Sequence, residues 1–123
     1  MTLRSEEIER VLKRLENVPG LEGAALVSAD GFMLASSLPP EASEDKVAAM
    51  GAAIVSIGER VNKELDRGDF DMAIISGSNG YTLATGAGLE AFLVVLASKN
   101  AKLGWVFLEV RRAAEELAQM LGR

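Results

Sequence analysis

Two residue types that carry much of protein chemistry are missing from this sequence: it has no cysteine and no histidine. Without cysteine there is no disulfide, no thiolate metal site and no sulfur nucleophile, a composition compatible with a reducing compartment. Without histidine the commonest general base and the commonest transition-metal ligand are gone, and a Ser-His-Asp arrangement cannot be built. Long apolar runs are lacking as well. The longest, AFLVVLA from Ala91 to Ala97, has the length of a strand and not of a membrane span. The N-terminal stretch MTLRSEEIERVLKRLE alternates in charge and has no apolar segment, so it does not read as a signal peptide. A cytoplasmic protein without membrane insertion is the expectation. Positive charge is also in short supply, with 13 Lys and Arg against 18 Asp and Glu and a net charge of -5. The cations are scattered among acids, so neither nucleic acid nor an anionic membrane surface is expected as a partner.

What remains is an ordinary soluble composition, 49% hydrophobic and 25% charged over 123 residues. That suits one domain able to close a core without staples. It leaves little apolar material for a deep substrate cavity, which directs attention to the outer surface.

Ile8, Val11, Leu12 and Leu15 recur at helical spacing and predict an amphipathic helix over Ser5–Asn17. Ser5 is its candidate cap, with Glu6 and Glu7 at the positive dipole end, and Pro19-Gly20 stops it. Asp30-Gly31 between two apolar runs signals a hairpin, with strands at about Gly23–Ala29 and Phe32–Ser37, and Pro39-Pro40 then breaks the pattern. Ser43 is the candidate cap of a second helix reaching about Leu65, with Glu44 and Asp45 in its first turn. A strand at Phe70–Ser76, a tight turn at Asn79-Gly80, a returning strand from Tyr81 and a turn at Gly86–Gly88 follow. Ala91–Ala97 is near-continuously apolar and is predicted to be an inner strand buried on both faces. The third helix is predicted over Leu103–Leu121, with Asn100 as candidate cap. The order α-β-β-α-β-β-β-α with short strand-to-strand links predicts one α/β (α+β) domain over residues 1–123, a five-stranded, largely antiparallel sheet flanked by helices.

The second helix is the most informative element. Val47, Met50, Ile54, Ile57, Val61 and Leu65 fall on one side of it. The other side begins with Ala48, Ala49, Ala52, Ala53 and Ser56, small and uncharged, with charge only later at Glu59, Arg60 and Lys63. A row of small residues permits close approach of another helix; alternatively, alanine simply propagates helix well.

Motifs that could carry chemistry are weak. SGSNG at Ser76–Gly80 is followed by a strand, not by the helix a phosphate loop needs, and Gly86-Ala87-Gly88 is no dinucleotide fingerprint. Asp66, Asp69 and Asp71 lack the spacing and closing Glu of a calcium loop. Adjacent pairs such as Glu115-Glu116 point apart on a helix. Trp105 is either an interface anchor or a half-buried core residue. Arg112 has Glu109, Glu115 and Glu116 within helical reach and reads as a solvated face, not as a catalytic finger. No catalytic, metal or cofactor-binding residue is assigned, and no enzyme activity is expected.

The stretch GYTLATGAGLEAFLVVLASKNAKLGWVFLEVRRAAEELAQML, with Leu93–Ala97, Leu103-Gly104 and Arg111–Glu115, resembles the Roadblock/dynein light-chain domain family, which includes gliding-protein partners of the MglB type. The N-terminal half, a helix, Pro-Gly and GAALVSADGFMLAS, is similar too, so the resemblance covers nearly the whole chain. It implies a profilin-like fold and a homodimer in which second helices lie side by side and middle strands join into one sheet. On that basis the dimer interface is expected at Ala49, Ala52, Ala53, Ser56, Phe70, Met72 and Ile74. The joining edge would be Phe70–Ser76, and Glu59, Arg60 and Lys63 would form a partner-binding rim. The implied role is a non-catalytic adaptor that binds and regulates a small Ras-like GTPase. The alternatives are a pure scaffold or dimerisation subunit of a larger complex, and a small-ligand sensor, which would need a hollow between sheet and helices. The chain ends just after the third helix, so no activity dependent on an extended C-terminal tail is expected.

Overall fold

The computed structural model describes residues 3–122. The elements come in the predicted order: α1 (Leu3–Leu15), β1 (Leu21–Ser28), β2 (Met33–Ser37), α2 (Glu44–Glu64), β3 (Met72–Gly77), β4 (Gly80–Gly86), β5 (Ala91–Ser98) and α3 (Leu103–Met120). All four strand pairings are antiparallel. The sheet order is β2-β1-β5-β4-β3, so the apolar run in β5 occupies the centre and β2 and β3 form the edges. Helix α2 connects one edge strand to the other.

The molecule has three layers. On one face of the sheet, Ile8, Val11, Leu12 and Leu15 of α1 and Val106, Val110, Ala113 and Leu117 of α3 pack on Leu26, Leu83, Leu93 and Val95. This is the larger core, and it follows from the helical spacing of the apolar positions. On the other face, Ala25, Val27, Phe92 and Val94 meet α2 through Ala48, with Val47, Ala52 and Val55 packed alongside. Alternate residues of β5 thus feed the two cores, which is why that strand reads as a continuous apolar run.

Several local expectations are corrected. Ser5 lies inside α1, which begins at Leu3, so it is not the cap. Lys102, not Asn100, is the N-cap of α3, and its side chain makes no capping bond. Ser43 does cap α2, its Oγ accepting from the Lys46 amide at 3.2 Å. The β3–β4 turn has Ser78 and Asn79 at its centre, because Gly77 and Gly80 are already paired across the ladder. Glycine at position 80 answers to crowding: a Cβ there would sit 2.7 Å from the Ala97 carbonyl oxygen of β5.

Phe70 lies outside β3. Its ring turns onto α2, where a Cβ placed on Gly58 would come within 2.3 Å of it. The backbone leading into β3 is held by Asp71, whose carbonyl accepts from the buried Thr85 hydroxyl at 2.8 Å.

The face of α2 turned to the sheet is the small one. Ala48 and Gly51 are buried, and a Cβ on Gly51 would lie 2.5 Å from Val94 Cγ2. The large residues Phe92, Val94 and Val27 already fill that layer, so the helix approaches on its smallest side chains. The consequence is that Met50 and Ile57, the bulky side of the helical wheel, remain 60% and 63% exposed.

Candidate functional site

The exposed side of α2 and the free edge β3 together define the candidate site. Residues paired across an antiparallel ladder share a sheet face. Ala73 pairs with Ala84, which pairs with Val94 of the α2-side core. Ala73 and, two residues on, Ile75 therefore face α2. Ile74 pairs with Leu83 of the opposite core, so Met72 and Ile74 lie on the α1/α3 face. Between α2 and β3 runs an apolar groove of about 630 Å³, lined by Met50, Ala53, Ile54, Ile57 and Val61 on the helix and by Phe70, Met72, Ala73, Ile74 and Ile75 below. Ile75 is 51% exposed on its floor. Contiguous apolar surfaces of this kind are uncommon on soluble monomers, which makes the groove the candidate site, and β3 adds a row of unpaired backbone groups beside it.

Of the seven residues expected at a dimer interface, four come together here: Ala53, Phe70, Met72 and Ile74. Ala52 instead packs on the sheet within the chain. Ala49 and Ser56 are exposed but lie outside this groove. Met50, Ile54, Ile57, Val61, Ala73 and Ile75 were not expected at the site. Their signal was present in the helical wheel, but a bulky apolar stripe is by default assigned inward.

Beyond the C-terminal half of α2, Glu59 and Lys63 border a second hollow of about 740 Å³ with Asp66, Asp69, Phe70 and Leu89. Arg60 is exposed on the helix without lining it. On the far face of the molecule, Trp105 and Leu108 of α3 are each 48% exposed, so Trp105 is half-buried at most.

Several charged residues tie the scaffold together. Arg111 makes a two-pronged contact to Asp71, Nη1 to Oδ1 at 2.9 Å and Nη2 to Oδ2 at 2.8 Å, while its guanidinium lies 4.9 Å from the Phe107 ring. Arg112 pairs with Glu109 at 3.3 Å, and Arg14 of α1 pairs with Glu116 of α3. Among the described residues, no three acidic side chains converge on a point that could hold a metal ion, and Asp71 is already engaged by Arg111.

The hydrogen bonds from Arg111, aided by its charge and opposed by partial burial, lower the Asp71 carboxyl below its ordinary range. A depressed carboxylate contributes stability above its unfolded pKa and loses it as pH falls through the folded one. Asp71→Asn is therefore expected to lower Tm slightly at pH 7. The deficit should close below about pH 4, as followed by thermal melts across pH. The effect is small because both groups are partly in water.

Comparison with known proteins agrees with this architecture. The Roadblock/LC7 domain family matches residues 7–97. The chain is 36% identical over 113 residues to the uncharacterized protein MJ1340 of Methanocaldococcus jannaschii, covering 92% of this chain and 98% of that protein. Among solved structures, the gliding protein MglB of Thermus thermophilus superposes with a TM-score of 0.87 at 27% identity, covering 98% of this chain and 92% of that one. An MglB structure in a tetrameric arrangement gives 0.88 at 27% identity, with 98% and 91% coverage. The fold is a small α+β domain, three helices on a five-stranded antiparallel sheet. The chain belongs to the Roadblock/LC7 domain family, and its fold is that of MglB. Among the described residues, no helix is long and apolar enough to cross a membrane.

Proposed function

We propose that this chain is a cytoplasmic homodimeric adaptor that binds a small Ras-like GTPase and regulates it without doing chemistry of its own. The observation that carries this reading is the α2/β3 groove, a bulky apolar surface next to an unpaired strand edge. Both problems have one solution. A second copy packed by a two-fold axis covers the apolar helix face and extends the sheet at once. Membership of the Roadblock/LC7 family and likeness to MglB support the same arrangement. The resemblance of this chain to GTPase-binding relatives supports the choice of partner.

In such a dimer Ala53, Phe70, Met72 and Ile74 lie at the contact, joined by Met50, Ile57 and Ile75. Glu59, Arg60 and Lys63 ring the exposed end of α2 as polar contacts for the GTPase. Regulation follows from differential affinity: a platform that fits one nucleotide state better raises that state's population by the ratio of the two affinities. The α2/β3 groove opens to solvent along its length, which favours a protein partner over an enclosed small ligand.

Affinity measurements against purified small GTPases from the same cell, loaded with GTP or GDP, test this. At least tenfold preference for one nucleotide state is expected for one of them. Equal binding to both states would reduce the chain to a scaffold, and no binding to any would overturn the proposal.

A further inference from the structure

We infer that the β1–β2 turn, the β4–β5 turn and the C-terminal end of α3 form a second docking site, whose occupant is a basic amphipathic segment of a partner protein, aliphatic side chains set between Lys or Arg. This goes beyond the dimer and the GTPase reading. None of the residues lining the hollow at this site lines the α2/β3 groove, so the site stands whether or not that groove is covered.

Three large apolar side chains are held out in water here. Leu89 is 87% exposed, Phe32 69% and Leu34 50%. The backbone fixes each of them. Gly31 precedes Phe32 with φ 92°, and Gly88 precedes Leu89 with φ 90°, a conformation that glycine alone adopts freely. Leu34 is the extra residue of a β-bulge: Leu26 pairs with Ala35 and Val27 with Met33, which leaves Leu34 without a partner across the ladder. A bulge re-aims the side chain it carries. The two turns are also tied down. The Phe32 amide donates to Ser28 Oγ at 3.1 Å, and the Ser28 amide donates to the Phe32 carbonyl at 2.8 Å. The Ala29 amide joins one turn to the other through the Glu90 carbonyl at 2.8 Å. Side chains presented by turns held this way have little freedom left to lose on binding.

Leu34 and Leu89 open onto a hollow of about 470 Å³, completed by Ala87, Ala91, Leu121 and Glu90. It lies on the α1/α3 side of the sheet, since Ala87 and Ala91 belong to that core. Leu34 belongs to β2, the sheet edge opposite β3.

Electrostatics select the occupant. Among the described residues lining the hollow, Glu90 is the one charged side chain. Leu121 and Gly122, which also line it, end α3. The last turn of that helix carries no basic residue, so the negative end of its dipole is left for a cation. Asp30 sits in the adjoining β1–β2 turn. Across Leu89, the neighbouring hollow is lined by Glu59, Asp66 and Asp69 against Lys63. An apolar surface with an acidic rim is complementary to apolar side chains flanked by Lys or Arg. An isologous contact with a second copy would instead set Asp30 and Glu90 near their own twins, and an anionic membrane would be repelled. A basic amphipathic helix carries the matching pattern, with apolar anchors at i, i+3 and i+4 and cations between them.

The probe is a fluorescently labelled peptide of Leu and Lys at amphipathic helical spacing, with a twin in which Glu replaces every Lys, and binding is followed by anisotropy. The wild-type chain is expected to bind the Lys peptide about tenfold more tightly than the Glu twin. The double variant Phe32→Ser/Leu89→Ser is expected to weaken that binding by about tenfold, the scale of one lost aliphatic anchor. Both side chains stand mostly in water, so the fold is kept, which thermal melts check. Glu90→Arg is expected to weaken the Lys peptide and strengthen its Glu twin. Ile57→Glu, placed in the α2/β3 groove, is expected to change the affinity by no more than about threefold, as for a separate site. Equal affinity for the two peptides, or no binding of the Lys peptide, would overturn the inference. Binding lost in Ile57→Glu and kept in Phe32→Ser/Leu89→Ser would put the peptide in the groove and overturn it as well. Vesicles of phosphatidylcholine and phosphatidylserine are expected to leave the chain in the supernatant. Co-sedimentation with them that Phe32→Ser/Leu89→Ser abolishes would make the surface a membrane contact instead.

Discussion

Replacing Ile57 with glutamate is expected to raise the dimer dissociation constant by about 10²- to 10⁴-fold and leave the isolated chain folded. Ile57 is 63% exposed in the single chain and lines the α2/β3 groove, so it contributes little to folding within one copy. In a two-fold dimer the change is made twice. Each copy forfeits burial of a large aliphatic side chain, roughly 1.5–3 kcal/mol. The sum of about 3–6 kcal/mol converts at ~1.4 kcal/mol per tenfold. A carboxylate brought near its twin adds to the penalty. Sedimentation velocity over a concentration series measures the constant, and circular dichroism confirms the fold. Ala49→Arg makes the contrast. Ala49 is exposed on α2 outside the groove, so this variant is expected to remain dimeric. If Ala49→Arg dissociates the dimer and Ile57→Glu does not, the helix pairs through its small side and the groove serves something else.

The second large effect is on folding. Gly51→Val is expected to destabilise the chain by about 3 kcal/mol, the upper part of the range for overpacking. A Cβ at this position would stand 2.5 Å from Val94 Cγ2 and 3.0 Å from Phe92 Cε2. Both belong to the central strand β5, which cannot retreat because the α1/α3 core backs it. The clash must therefore lift α2 from the sheet. Since α2 carries the groove, self-association should weaken together with stability. Chemical denaturation at equilibrium, with the midpoint and slope fitted separately, provides the check. Gly51→Ala should fall in the same direction by less, because alanine regains about 1 kcal/mol of helix propensity over glycine.

These two variants mark where sequence reasoning succeeded and where it did not. Element order and type were legible because the periodicities are clean. The stripe Ile8, Val11, Leu12 and Leu15, the unbroken run in β5 and the Asp30-Gly31 hairpin each admit one interpretation, and each is found in the structure. Gly31 takes φ 92° as the tight turn requires. What could not be read was which side of α2 meets the sheet. Hydrophobic periodicity identifies an apolar face, and the customary assignment turns the bulkiest one inward. Here the opposing layer is already filled by Phe92, Val94 and Val27, and only the Ala48–Gly51–Ala52 side fits over it. Gly51 was the clue, a helix-interior glycine that propensity alone disfavours.

The candidate site was legible in part for the same reason. Phe70, Met72 and Ile74 were expected from the family resemblance; Met72 and Ile74 lie in the edge strand, Phe70 just before it, and all three line the groove. Their neighbours Ala73 and Ile75 face α2, a fact that depends on pairing register through β4 to β5 and so on contacts distant in sequence. Ala49, Ala52 and Ser56 were chosen as a row of small residues, yet Ala52 spends its surface inside the chain. The scaffold role of Asp71 was likewise invisible. Its partner Arg111 lies 40 residues away, and only the fold brings α3 beside the start of β3.

The central claim is that the apolar side of α2 and the free edge of β3 are covered by a second copy of the same chain. Sedimentation equilibrium of the unmodified protein at low micromolar concentration tests it most directly. A single species of twice the chain mass, reduced to the chain mass by Ile57→Glu, is the predicted result. A wild-type chain that remains at single mass into the hundreds of micromolar, with Ile57 and Ile75 open to water, would contradict it.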